Sequence, residues 1–88
     1  MRLNVFFEIT AWDQYQYWLE NDKQMLRKLN QLIKECQRSA FEGLGKPELL
    51  KNEYSGYWSR RIDKEHRLVY KVEKHTLIII QCRFHYDK

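Results

Sequence analysis

The side chains best suited to chemistry in this chain are cationic and lie late in it. Arg61, Arg67, Lys71, Arg83 and His85 occupy odd positions in segments where apolar and polar residues alternate. Residues two apart along a strand project from one face, so these cations are expected to gather, together with Ser59. A three-residue link at 63–65 sets Arg61 directly opposite Arg67. Two facing guanidinium groups repel unless an anion sits between them, and the chemistry this pattern predicts is recognition of phosphate or carboxylate. Metal chemistry is not indicated, because His66, His75 and His85 show no ligand spacing with Cys36 or Cys82.

The elements that must position these residues can be read from periodicity. Residues 2–7 carry Leu3, Val5, Phe6 and Phe7 and read as a first strand. After Thr10, Trp12, Tyr15, Trp18 and Leu19 recur at helical spacing, with Asp13 where a capping-box acid would sit. The helix is expected to end near Glu20, with Asn21 and Asp22 as a break and a new N-cap. Met25, Leu29, Leu32, Ile33 and Cys36 then form the apolar stripe of a second, antiparallel helix. Gly43, Gly45 and Pro47 punctuate the chain, and beyond them the period becomes two. A short strand at 48–52 and longer ones at Tyr57–Ile62, His66–Val72 and Leu77–Tyr86, joined by short polar links, predict an antiparallel meander. The fold class is therefore α+β, two helices packed on a mainly antiparallel sheet.

Even positions of the last three strands supply the expected core face: Trp58, Ile62, Leu68, Tyr70, Val72, Ile78, Ile80, Cys82 and Phe84. Val69, Leu77 and Ile79 fall on the odd face despite being apolar, and Arg60 falls on the even face with nothing in the sequence to account for it.

Composition bounds the remaining choices. Eighty-eight residues, 43% hydrophobic and 15% aromatic, make one folded domain spanning residues 1–88 rather than a disordered chain. The longest aliphatic run, Leu77 to Ile80, is far short of a membrane span. Asn4, Glu8 and Asp13 interrupt any secretory leader. Two cysteines make no disulfide framework and predict buried thiols in a reducing cytoplasm. Residues 1–44 hold six basic and six acidic side chains, residues 45–88 ten and six, so the net charge of +4 belongs to the second half. Such a field draws in polyanions, and a nucleic acid or an acidic protein segment would satisfy it equally.

Several ordered blocks are familiar together: 41–48 (FEGLGKPE), Leu50-Lys51, 55–62 (SGYWSRRI), 65–70 (EHRLVY) and 82–86 (CRFHY). With the Trp12-Asp13 and Tyr15–Trp18 region they resemble the YoeB/Txe toxins of the RelE superfamily over nearly the whole chain. The resemblance implies a RelE-like fold similar to small microbial ribonucleases. It also implies an endoribonuclease that cuts messenger RNA, chiefly in the ribosomal A site, and needs no cofactor. A cognate antitoxin of the YefM/Axe kind would hold it inactive, operator DNA would be bound only through that antitoxin, and a toxin homodimer is compatible with the family. By position, Glu48 matches the family's general base, Arg67 its phosphate-stabilising arginine, His85 its general acid and Tyr86 its C-terminal catalytic tyrosine. Lys51 and Arg61 match supporting basic residues, and Lys46 and Arg83 join them as expected RNA contacts. Many relatives end at the tyrosine, whereas here Asp87 and Lys88 follow.

These residue types suit the reaction. RNA carries its own nucleophile, so cleavage needs a base near the 2′-OH, an acid near the leaving 5′-oxygen and positive charge on the phosphate. Two other functions fit the same scaffold: a gyrase inhibitor like the ParE branch of the superfamily, which generally lacks the base–acid pair, and a basic module that binds RNA without cutting it.

Overall fold

Burial of one helical stripe organises the molecule, which a computed structural model describes over residues 2–86. Met25, Leu29, Leu32, Ile33 and Cys36 all lie inside, on the helix α2 (Lys23–Arg38). Burying such side chains contributes roughly 1.5–3 kcal/mol each. The Asp22 carboxylate accepts from the Met25 N–H at 3.2 Å, the expected N-cap, which stabilises by about 1 kcal/mol. The preceding helix, α1 (Ile9–Asn21), starts two residues earlier than its sequence signals suggested. The Glu8 N–H bonds Ile79 O, so the chain leaves the sheet at Glu8 and coils at once, leaving Thr10 inside the helix. The buried face of α1 is Ala11 and Trp18, with Tyr15 partly covered; Trp12 and Leu19 are exposed.

The five strands are β1 (Asn4–Phe7), β2 (Glu48–Leu49), β3 (Trp58–Arg61), β4 (Arg67–Glu73) and β5 (Thr76–Gln81). They form one sheet in the order β1-β5-β4-β3-β2, antiparallel except for the parallel pair β1 and β5. The helices cover one face, where Ile62, Leu68, Tyr70, Leu77, Ile79 and Cys82 complete the core with them. Arg61 faces Arg67 across β3 and β4, as the link length predicted.

Parity fails in β5. Lys74 and His75 form a two-residue turn, both with positive φ (47° and 62°), so Glu73 pairs with Thr76 and Tyr70 with Ile79. An odd-numbered residue now opposes an even one, and Leu77 and Ile79 are fully buried where Ile78 and Ile80 had been expected. A bulge then corrects the count: Val69 pairs with Gln81, Tyr70 with Ile79, and Ile80 is the extra residue. Cys82 thus returns to the core, but the regular strand has ended. Residues 82–86 run irregularly and Phe84 is 50% exposed at φ 70°.

Arg60 finds its explanation here. It is fully buried and donates to Tyr70 Oη at 3.1 Å, Leu44 O at 2.9 Å, Glu42 O at 2.9 Å and Ser39 O. Tyr70 donates in turn to Ala40 O at 2.7 Å. The even-face arginine is the staple of the loop after α2. Gly45 in that loop (φ 82°) abuts Arg61 O, Arg60 and Leu32 so closely that a Cβ would meet them at 3.0–3.1 Å. Cys36 and Cys82 are free buried thiols, with pKa pushed up by burial to about 11 and about 12. Among the described residues no helix is long and apolar enough to cross a membrane.

Candidate active site

The uncovered sheet face carries the candidate residues, and pairing register places them. Glu48 opposes Ser59, Ser59 opposes Val69, and Val69 opposes Gln81, a row across four strands. Directly paired residues share a face. Glu48 therefore projects on the same side as Arg61 and Arg67, which lie one step further along β3 and β4. Val69 and Leu50 are buried yet lie outside the helix-covered cluster, so this second face is itself partly roofed.

A cleft of about 510 Å³ opens beside that row, lined by Glu48, Lys51, Tyr54 and Tyr86 among others. Its size suits a nucleotide-scale ligand. Tyr86 meets the Tyr54 ring edge-on at 5.9 Å, and His85 stacks on Tyr86 at 4.6 Å. The exposed Glu48 carboxylate thus shares a cleft with Tyr86, on whose ring the exposed His85 imidazole stacks. Lys46 is exposed just before β2, beside Gly45, whose carbonyl accepts from Arg61 N at 2.7 Å.

The arginines differ sharply in environment. Arg61 is exposed. Arg67 is buried, and its Nη1 donates to Asp63 O at 2.8 Å and His66 O at 3.1 Å, so part of its fork is committed to the turn below it. Arg83 does not join them. Its guanidinium carbon lies 3.4 Å from the centroid of Tyr17 on α1 and 4.4 Å from that of Phe84, with Nε buried and unpartnered. Alternation cannot carry it to the cationic face because the strand stops at Gln81. Lys71 bridges Glu73 at 3.3 Å and lies over the Tyr57 ring; the bonds to Glu73 and Tyr57 raise its pKa.

Two residues that sequence reasoning missed build the far rim. Gln81 Nε2 donates to the carbonyls of Arg83, Phe84 and His85 at 3.0, 3.1 and 3.1 Å. His66, expected only as the first residue of a strand, accepts from Phe84 N at Nδ1 (2.8 Å), while Arg67 N donates to Phe84 O. The one signal for Gln81 was a lone amide interrupting the apolar run 77–82. Asp63 supports the same turn: burial pushes its carboxyl up, but N–H groups of His66 and Glu65 outweigh this and hold it below its usual range. Among the described residues no three His, Cys, Asp or Glu side chains group as a metal site. Asp87 and Lys88 lie outside the described residues.

Comparison with known proteins agrees with this architecture. Residues 7–86 match the model of the YoeB-like toxin of bacterial type II toxin–antitoxin systems. Toxin YoeB of Escherichia coli K12 is 57% identical over 76 residues, 86% of this chain and 90% of that protein. A YoeB/ParE toxin from Agrobacterium tumefaciens superposes with a TM-score of 0.93 at 48% identity, covering 96% of this chain and all of that one. YoeB of Staphylococcus aureus, also 48% identical over 98% of this chain and all of its own, superposes at 0.88 in a heterotetramer with YefM and at 0.89 as a dimer.

Proposed function

The chain belongs to the YoeB-like toxins of bacterial type II toxin–antitoxin systems, and on that premise we propose that it is an endoribonuclease that cuts messenger RNA in the ribosomal A site without a metal. The observation that carries the reading is the cross-strand row from Glu48 to Gln81, which has a carboxylate at one end and the segment bearing His85 at the other.

In the proposed reaction Glu48 takes the proton of the 2′-OH, and the freed oxygen attacks the adjacent phosphorus. The bond from phosphorus to the 5′-oxygen breaks as the His85 imidazolium gives that oxygen its proton. The products are a 2′,3′-cyclic phosphate and a 5′-hydroxyl. Arg61 and the uncommitted donors of Arg67 stabilise charge on the phosphate oxygens as it grows. Lys46 and Lys51 hold the RNA backbone near the base, and Tyr86 hydrogen-bonds the phosphate or, with Tyr54, stacks on an unpaired base. Arg83, packed on Tyr17, serves the segment that carries His85 rather than the RNA directly.

The Staphylococcus aureus relative assembles with YefM and with itself. By extension, an acidic YefM/Axe-like antitoxin segment covers this basic face in the cytoplasm and carries the pair to operator DNA, and a toxin homodimer forms. RNA with a single 2′-deoxy nucleotide at the scissile position should survive ribosomes loaded with the protein, while all-ribose RNA is cut to cyclic-phosphate ends. Cleavage of the deoxy substrate would overturn the mechanism. Intact mRNA with inhibited gyrase would replace it with the ParE-like reading.

A further inference from the structure

We infer that Gln81 is a positioning residue whose side-chain amide holds the C-terminal segment in the conformation that presents His85; the inference rests on the ribonuclease reading above.

Without the bulge, Gln81 would share parity with Leu77 and Ile79 and point into the helix-covered core. The extra residue Ile80 turns it onto the row with Glu48, Ser59 and Val69. There its two amide protons are shared among three successive carbonyls, those of residues 83, 84 and 85. These carbonyls have left the regular ladder, since β5 ends at Gln81 and Phe84 adopts φ 70°. A non-glycine residue in that region is strained and is held there by its surroundings. The surroundings are specific: His66 Nδ1 takes the Phe84 N–H from one side and Gln81 takes the carbonyls from the other.

An amide suits the task because it donates to these carbonyls without introducing a charge. A carboxylate of the same shape has no proton to offer and would repel all three carbonyls. Gln81 touches the backbone of His85 and not the reacting atoms, so it acts through the acid rather than as one. Displacing an acid by an ångström is enough to cost on the order of 10²-fold in rate.

The test compares the full-length wild type with Gln81→Glu, and with Gln81→Leu should the first variant fold poorly. RNA cleavage in ribosomes is resolved into kcat and KM, and backbone amide relaxation by NMR is recorded for residues 83–86 of the free protein. Loss of the clamp should lower kcat on the order of 10–100-fold with KM and melting temperature nearly unchanged, and should loosen residues 83–86. Wild-type kcat, or residues 83–86 equally ordered in a folded variant, would overturn the inference. A wild type that orders this segment through Gln81 yet cuts no RNA would leave the clamp standing and sink the ribonuclease reading instead.

Discussion

Two irregular segments of this molecule are tethered in the same manner, and the difference between the tethers separates stability from activity. The loop at 39–44 is held by Arg60, which donates to the carbonyls of Ser39, Glu42 and Leu44 from a fully buried position on the helix-covered face. The segment at 83–85 is held by Gln81, which donates to three carbonyls from a half-buried position on the opposite face. One tether is charged and comes from a fully buried side chain, and three of the loop's carbonyls depend on it. The other is neutral and wetted, so water can replace it at modest cost. The first suits a segment fixed against the core, the second a segment held in place at a smaller energy.

The largest effect expected from probing this contrast is on activity. His85→Gln should lower single-turnover cleavage by on the order of 10²–10⁴-fold while leaving the melting curve in place. A melting point several degrees lower would mean that the C-terminal segment is structural after all, and the contrast would dissolve. Next comes Arg60→Met, which keeps the side chain's bulk but strands three carbonyls, while the Tyr70 hydroxyl keeps its bond to Ala40 O. Each unsatisfied group costs about 1–3 kcal/mol, so urea denaturation should report a loss of at least about 3 kcal/mol. A much smaller loss would show that water reaches the loop and that the two tethers are alike.

The smallest effect concerns the turn beneath the neutral tether. The Asp63 carboxyl is held below its usual range, so its contribution to stability is complete above the unfolded value and fades as pH falls through the lower, folded one. Asp63→Asn should therefore lower stability slightly at neutral pH and flatten the acid limb, so that variant and wild type converge below about pH 4. The group is largely solvated, which keeps the difference well under about 1 kcal/mol. An unchanged acid limb would detach Asp63 from the support of His66 and Arg67.

Much of this was legible in the chain itself. The stripe from Met25 to Cys36, the Asp22 cap, the hairpin that sets Arg61 against Arg67 and the two-helix, mainly antiparallel α+β class follow from local periodicity and turn chemistry, which act over a few residues and need no partner to be read. The blocks around Glu48, Arg67 and His85 were enough to point to the toxin family. Tertiary structure alone decided the rest. The parallel pairing of β1 with β5, the bulge that restores the expected faces at Gln81 and Cys82, the burial of Arg60 and the departure of Arg83 toward Tyr17 all depend on which segments meet across the fold. A one-residue change in register sends every later side chain to the other face, and a buried guanidinium is tolerable only where carbonyls happen to converge. Neither fact is written in any window of neighbouring residues, because both are properties of contacts made between residues far apart in the chain.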